Sequence, residues 1–301
     1  MAAVSTSGAR RRTPRLFCFG LGYSALALAE ALVAEGWAIA GTCRSDEKCA
    51  SLAARGIAAH RFERDHPLTD ADAALAGAEH MLVSIPPDEH GDPVLDRHRD
   101  AIERASGLGW IGYLSTTGVY GDRGGAVVDE TSALAPSGER GRRRVAAEEG
   151  WLRLWRERHL PVHRFRLAGI YGPGRSVLDQ LRAGTAKRVV RPGQMFSRIH
   201  VADIVAVLRA SMARPDPGAV YNLCDDDPAP PAEVVGFAAG LLGMAPPPEV
   251  PFEAAELSPM ARSFWADNKR VSNARIKREL GIRLRYPSYR DGLAALVAEG
   301  G

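Results

Sequence analysis

Gly20, Gly22 and Ala25 stand in the order G-x-G-x-x-A directly after a four-residue apolar run, Leu16 to Phe19. Glycine at the first position lets the chain turn tightly. At the second it lets the backbone approach a ligand with no Cβ between, and a small residue at 25 lets a following helix pack closely. The N–H groups of Tyr23, Ser24 and Ala25 at the start of that helix suit a pyrophosphate. A plain strand-to-helix turn needs no ligand, so the context must decide. Further on, Gly41-Thr42-Cys43-Arg44-Ser45 ends a second apolar run, with Lys48 one turn later. A carboxylate there would accept from the ribose 2′-hydroxyl of NAD. Arg44, Ser45 and Lys48 instead suit a 2′-phosphate, although Asp46 and Glu47 offer carboxylates close by. NADP is the expected cofactor and NAD the alternative; the bland reading of Arg44 is a solvated charge. A third cluster, Ser115-Thr116-Thr117, sets three hydroxyls side by side, as a binding turn or a loop bonded to its own backbone would.

These groups need elements to position them. Strands are expected at Leu16–Phe19, Trp37–Cys43, Ile57–Phe62, His80–Ile85, Trp110–Leu114 and Val162–Leu167. Helices are expected from the glycine turn to Gly36, after Cys43 to Arg55, and over Asp70–Leu75, Asp92–Ser106 and Arg142–Arg158, with Trp151 and Trp155 as core. Strand and helix in alternation predict an α/β fold, a Rossmann-type doubly wound parallel sheet. After Ala168 the alternation breaks and Gly and Pro become frequent. A dinucleotide-binding domain over 15–168, with later segments returning to it, and a smaller C-terminal substrate lobe over 169–301 are therefore expected, with a cleft between them.

The 301 residues are 46% hydrophobic and 25% charged, enough for a sizeable core. With 39 basic and 36 acidic residues the net charge is +3, which calls for no nucleic-acid or membrane partner. The four cysteines contain no C-x-x-C pair and suggest neither zinc nor a disulfide framework, and the eight histidines show no ligand spacing, so no metal is expected. Residues 1–14 lack the apolar core of a secretory signal and read as a frayed tail, no run approaches a membrane span, and a cytoplasmic protein fits.

Leu114-Ser115-Thr116-Thr117-Gly118-Val119-Tyr120-Gly121 resembles the strand end of the extended short-chain dehydrogenases/reductases, the NAD-dependent epimerase/dehydratase group. Arg166 to Gly174 is similar to that group's R-x-x-x-x-Y-G-P-G segment, Arg198-Ile199-His200-Val201-Ala202-Asp203 to its R-x-x-H-V-x-D segment, Tyr221-Asn222-Leu223 to its late strand, and Ser272 to Gly281 to its closing helix. The resemblance spans about Arg15 to Leu296. It implies that Thr116, with Ser115 beside it, polarises a substrate oxygen, that Ser84, Pro86 and Tyr171 line the cofactor, and that subunits pair as a homodimer.

The family's Tyr-x-x-x-Lys pair falls, counted back from Glu148, on Arg140 and Arg144. A guanidinium does not exchange protons near neutrality. Arg144 can still donate to a ribose, whereas Arg140 cannot act as a general acid, which leaves Tyr120, Tyr171 and His200 as proton carriers if they are not packing residues. Arg140, Arg198 and His200 are the expected substrate contacts, toward a small polar, sugar-like or nucleotide-linked molecule; a solvated helix face is the plain reading of the arginines. The expected function is an NAD(P)-dependent oxidoreductase or epimerase/dehydratase. The alternative is an NAD(P)-binding sensor or regulatory protein that has lost proton transfer.

Overall fold

The computed structural model describes residues 13–300, so the expected tail lies, up to residue 12, outside the described residues. Seven strands form the central sheet: β1 Arg15–Phe19, β2 Ala38–Cys43, β3 Ala58–Arg61, β4 His80–Val83, β5 Trp110–Thr116, β6 Val162–Leu167 and β7 Val220–Leu223. Every pairing is parallel, in the order β7-β6-β5-β4-β1-β2-β3. The α/β Rossmann-type fold read from the alternation is thus the observed one. The order reverses between β1 and β4, and the crevice beyond the strand ends at such a switch point is where open α/β sheets bind ligands.

Alternation along each strand divides the core in two. Leu16, Cys18, Leu82, Trp110 and Leu114 face one way, with helix α1 Tyr23–Val33. Phe17, Phe19, Met81, Val83, Ile111 and Tyr113 face the other. Helices α2 Asp46–Ala53, α3 Ala71–Leu75, α4 Pro93–Arg104 and α5 Glu139–Arg158 complete the first 158 residues. Asp92 caps α4 through the N–H groups of Val94 and Leu95 and also accepts from Trp151 Nε1 at 2.9 Å, which locks α4 to α5.

Beyond Ala168 come α6 Val177–Arg182, α7 Val201–Ala213, α8 Pro231–Leu241, α9 Pro259–Trp265, α10 Ala274–Leu280 and α11 Tyr289–Ala298. Helix α7 returns to the sheet and packs its Ile204, Val207 and Leu208 with the α1 side of the core. Helices α6, α8 and α11 bury Leu178, Leu181, Val235, Ala238, Leu293 and Leu296 in a separate apolar cluster. Two-stranded pieces at 169–171 with 198–200, and at 188–190 with 249–251, carry the chain between them.

Three local expectations shift. Strand β5 runs on to Thr116, because Ser115 and Thr116 pair with Arg166 and Leu167 of β6. Helix α5 begins three residues early, at Glu139, which ion-pairs with Arg142 at 2.8 Å and with Arg143 at 3.2 Å and so supports the first turn. Cys43 and Cys49 are joined in a disulfide, with Cα atoms 6.0 Å apart, where their spacing suggested none; the β2–α2 turn folds them together. Cys18 and Cys224 are free and buried.

One polar network crosses the sheet. Arg166 of β6 and Glu148 of α5 are both buried, with Nη2 donating to Oε2 at 2.7 Å and Nε to Oε1 at 3.1 Å. The Ser115 hydroxyl donates to Glu148 Oε1 at 2.5 Å, Arg166 Nη1 donates to the Tyr120 oxygen at 2.9 Å, and Tyr120 donates to Asn222 Oδ1 of β7 at 2.7 Å. Removing one member of a buried ion pair leaves the other uncompensated. Glu148→Gln is therefore expected to lower unfolding stability by about 3–5 kcal/mol, measured by urea denaturation. A double variant with Arg166→Met is expected to regain part of that loss.

Candidate functional site

The glycine turn lies at the switch point. Gly20 has φ +89°, and a Cβ there would sit 2.7 Å from Ile85 Cγ1, so both the turn and the close approach of the β4 end call for glycine. Its N–H donates to Thr42 Oγ1 at 2.8 Å, and its carbonyl accepts from Ser84 Oγ at 2.5 Å. The ends of β1, β2 and β4 are thereby held together. Gly22 caps α1 without any side-chain hydrogen bond, and nothing lies within 4 Å of where its Cβ would be. An uncapped helix start beside open space fits a pyrophosphate. Ser24 and Ala25 are buried at the base of this turn. The Tyr23 hydroxyl donates to the Pro173 carbonyl at 3.0 Å, and its ring lies 5.4 Å from the Arg175 guanidinium, so Tyr23 spans the crevice to the 172–175 turn.

At the β2 end, Arg44 is exposed and has no hydrogen bond or ion pair among the described residues. Ser45 caps α2, accepting from the Lys48 N–H at 3.3 Å, which leaves its hydroxyl hydrogen free to donate. On the other side of the switch point, Pro86 is exposed in the loop after β4. That loop is pinned by Asp88, which accepts from Arg64 at 2.6 and 2.8 Å; the Arg64 hydrogen bonds hold the Asp88 carboxyl below its usual range.

The β5 end sorts its hydroxyls. Ser115 is buried and committed to Glu148. Thr116 is half-buried; its Oγ1 accepts from the Gly118 N–H at 3.1 Å, so its own hydrogen can point to a ligand. Thr117 is half-buried and its hydroxyl has no partner among the described residues, which adds it to the candidates that its neighbours Ser115 and Thr116 supplied from the sequence. Tyr120 is fully enclosed and bonded to Arg166 and Asn222, and burial raises its pKa. Arg144 is half-buried, donating to the Leu114 carbonyl at 2.8 Å and to Tyr113 Oη at 3.1 Å. Arg140 is exposed one turn earlier, with its guanidinium 5.3 Å from the Phe264 ring.

The remaining expected contacts lie deeper. Tyr171 is buried against His200, ring centroids 5.1 Å apart, with its hydroxyl 3.4 Å from the Ser288 carbonyl. His200 caps α7 by accepting from the Ala202 N–H at 3.1 Å, and burial lowers its pKa to about 4, so the ring is neutral at pH 7. Its buried Nε2 has no partner among the described residues. Asp203 accepts from the N–H groups of Arg285 and Tyr286 at 2.7 and 3.1 Å. The H-V-x-D segment is thus a clamp between α7 and the chain entering α11. Arg198 donates to the carbonyls of Phe196 and Ala229 at 2.8 and 3.2 Å. A cavity of about 220 Å³ beyond the β5 end is lined by Asp122, Arg191, Gln194 and Asn268. Among the described residues no group of three or more His, Cys, Asp or Glu side chains could hold a metal, and no helix is long and apolar enough to cross a membrane.

No family model matches the chain. Protein YeeZ of Escherichia coli K12 is 30% identical over 283 residues, covering 89% of this chain and 94% of YeeZ. The structure of a functionally unknown conserved protein from Silicibacter pomeroyi DSS is 52% identical, with a TM-score of 0.87 over 96% of this chain and 99% of that one. UDP-glucuronic acid 4-epimerase from Bacillus cereus, in complex with NAD, superposes with a TM-score of 0.73 at 15% identity, over 95% of this chain and 99% of its own. The dTDP-glucose 4,6-dehydratase DesIV of Streptomyces venezuelae, with NAD and TYD bound, gives 0.73 at 18% identity, over 94% and 96%. At such identities these two share the fold.

Asp225, just past β7, is buried; among the described residues its Oδ2 has no hydrogen-bond partner, and its Oδ1 accepts from the Asp227 N–H at 3.3 Å. Burial pushes its pKa up from 3.8 to about 8. The unfolded chain releases this proton first as pH rises, so stability falls through the window from about 4 to about 8 and no further above it. Asp225→Asn, which cannot ionise, is expected to raise Tm by several degrees at pH 8 and to leave it nearly unchanged at pH 4. Thermal melts at the two pH values check this; an equal shift at both contradicts it.

Proposed function

Since the chain belongs to the family of Escherichia coli YeeZ and carries the fold of NAD-dependent epimerases and dehydratases, we propose that it is an NAD(P)-dependent oxidoreductase or epimerase/dehydratase acting on a small polar molecule. The observation that carries this reading is the uncapped start of α1 beside Gly22, open at the switch point of the sheet. The N–H groups of Tyr23, Ser24 and Ala25 would hold the pyrophosphate there, and Ser84 and Pro86 would border the nicotinamide half. When bound, the dinucleotide supplies a hydride donor or acceptor. NADP is favoured over NAD because Arg44 is an unpaired cation next to the Ser45 hydroxyl, a pair suited to a 2′-phosphate.

Toward the substrate, Thr116 keeps a donor hydrogen at the β5 end and would orient an oxygen, with Thr117 beside it. Arg144 is held in place by Leu114 and Tyr113 and would present its remaining N–H groups to a ribose. Arg140 would supply charge without a proton. Ser115, Tyr120 and Tyr171 support the reading as positioning residues, since their hydroxyls are turned inward to protein partners. A second reading, a cofactor-binding sensor, is favoured by one specific observation: each tyrosine or histidine named as a proton carrier is buried.

Calorimetric titration with NADPH and NADH tests the proposal. NADPH is expected to bind more tightly. Loss of a charge-assisted hydrogen bond costs roughly 1.5–3 kcal/mol, so Arg44→Ala is expected to weaken NADPH about ten- to a hundredfold while sparing NADH. Gly22→Asp, which places a carboxylate at the phosphate position, is expected to abolish both. Turnover of a sugar nucleotide or carbonyl compound would then separate enzyme from sensor.

A further inference from the structure

We propose that Arg140 and Phe264 form a docking subsite for a planar conjugated oxyanion, a carboxylate on a flat unsaturated frame. This deepens the reading above, and rests on it for the direction in which the ligand's reacting end points.

The first turn of α5 is pressed against the turn after β5. A Cβ on Gly141 would lie 3.1 Å from the Gly118 carbonyl oxygen and 2.6 Å from Pro136 Cβ, so residue 141 is glycine because nothing larger fits. Arg140, Arg144 and Glu148 then repeat at the four-residue spacing that forms one helix face. The two inner members are used by the fold: Glu148 by Arg166 and Ser115, Arg144 by Leu114 and Tyr113. The outer member is not. Arg140 has no hydrogen bond or ion pair among the described residues, and the neighbouring acid, Glu139, is taken by Arg142 and Arg143.

What Arg140 does have is the Phe264 ring, 5.3 Å from its guanidinium carbon. Such a contact fixes the guanidinium beside an aromatic surface and leaves its N–H fork free for a two-oxygen acceptor. Phe264 is 54% exposed, and Met260, four residues earlier on α9, is 60% exposed. The result is an apolar shelf next to an unpaired planar cation. Phe264 and Met260 offer a sugar's hydroxyls no hydrogen-bond partner, so any that such a ligand makes there must come from Arg140. A flat anion places its frame on the shelf and its charge on Arg140.

The test is calorimetry on the full-length protein with trans-cinnamate, the uncharged trans-cinnamamide and UDP-glucose as probes. Cinnamate is expected to bind, cinnamamide to give no heat, and Arg140→Ala and Phe264→Ala each to weaken cinnamate at least about tenfold, with Arg140→Lys between. Both side chains are on the surface, and unchanged Tm values verify that the variants fold. No cinnamate binding, binding indifferent to both variants, or tighter Arg140-dependent binding of UDP-glucose would overturn the proposal. NADPH titrated into the same preparation reports separately. Arg140-dependent cinnamate binding without NADPH binding would sink the cofactor reading and leave the subsite standing.

Discussion

The buried pair of Glu148 and Arg166 is the contact on which the β5 end of the crevice depends. It joins α5 to β6, draws in Ser115 from β5, and reaches Asn222 of β7 through Tyr120. Burial alone would lower the Arg166 pKa, but the Glu148 hydrogen bonds and charge outweigh it and raise it instead. Charges this deep cost several kcal/mol each to desolvate, and the cost is offset only where every donor finds its acceptor. The network meets that demand by consuming hydroxyls that a sequence reading assigns to chemistry.

The two halves of the crevice differ in how much of their polarity is left over. At the glycine turn, Gly20 donates to Thr42 and accepts from Ser84 through its backbone, while no side chain caps the start of α1. On the β5 side, the Tyr120 hydroxyl, the Ser115 hydroxyl and the Asp203 carboxylate are bonded inward. What remains outward-facing is Thr116, Thr117 and Arg140. On the proposed reading a dinucleotide would meet a prepared anion site, whereas a substrate would meet two hydroxyls and a fixed positive charge.

The parts legible in the sequence are those set by short-range rules. The glycine turn and the apolar runs of β1, β2, β5 and β6 each depend on a few adjacent residues, and the parallel pairing follows from strand and helix alternating. What could not be read there depends on partners far along the chain. Ser115 points inward because Glu148, thirty-three residues later, waits for it, and Tyr120 does so because Asn222 stands 102 residues away. His200 caps α7 and Asp203 holds the chain at Arg285 and Tyr286, a segment that carries no motif to announce it. Cys43 and Cys49 approach across a turn whose geometry their spacing does not reveal.

On the proposed reading, in which Arg140 stands where the resembled family has a phenol, what the crevice would stabilise changes. A phenol near a reacting oxygen donates a proton and becomes an anion; a guanidinium keeps its protons and contributes a full positive charge throughout. That exchange disfavours an alkoxide, which needs a proton as it forms, and favours an oxygen whose negative charge is already shared over a conjugated frame. Such a charge needs a counter-ion rather than an acid, and preorganised charges of this kind act without reorganising. Arg140 is held for that role by Phe264 on one side and by a helix turn seated on Gly141 on the other. Tyr120, in the buried network behind it, is not free to take the proton's part, because the fold has already used it to carry Arg166.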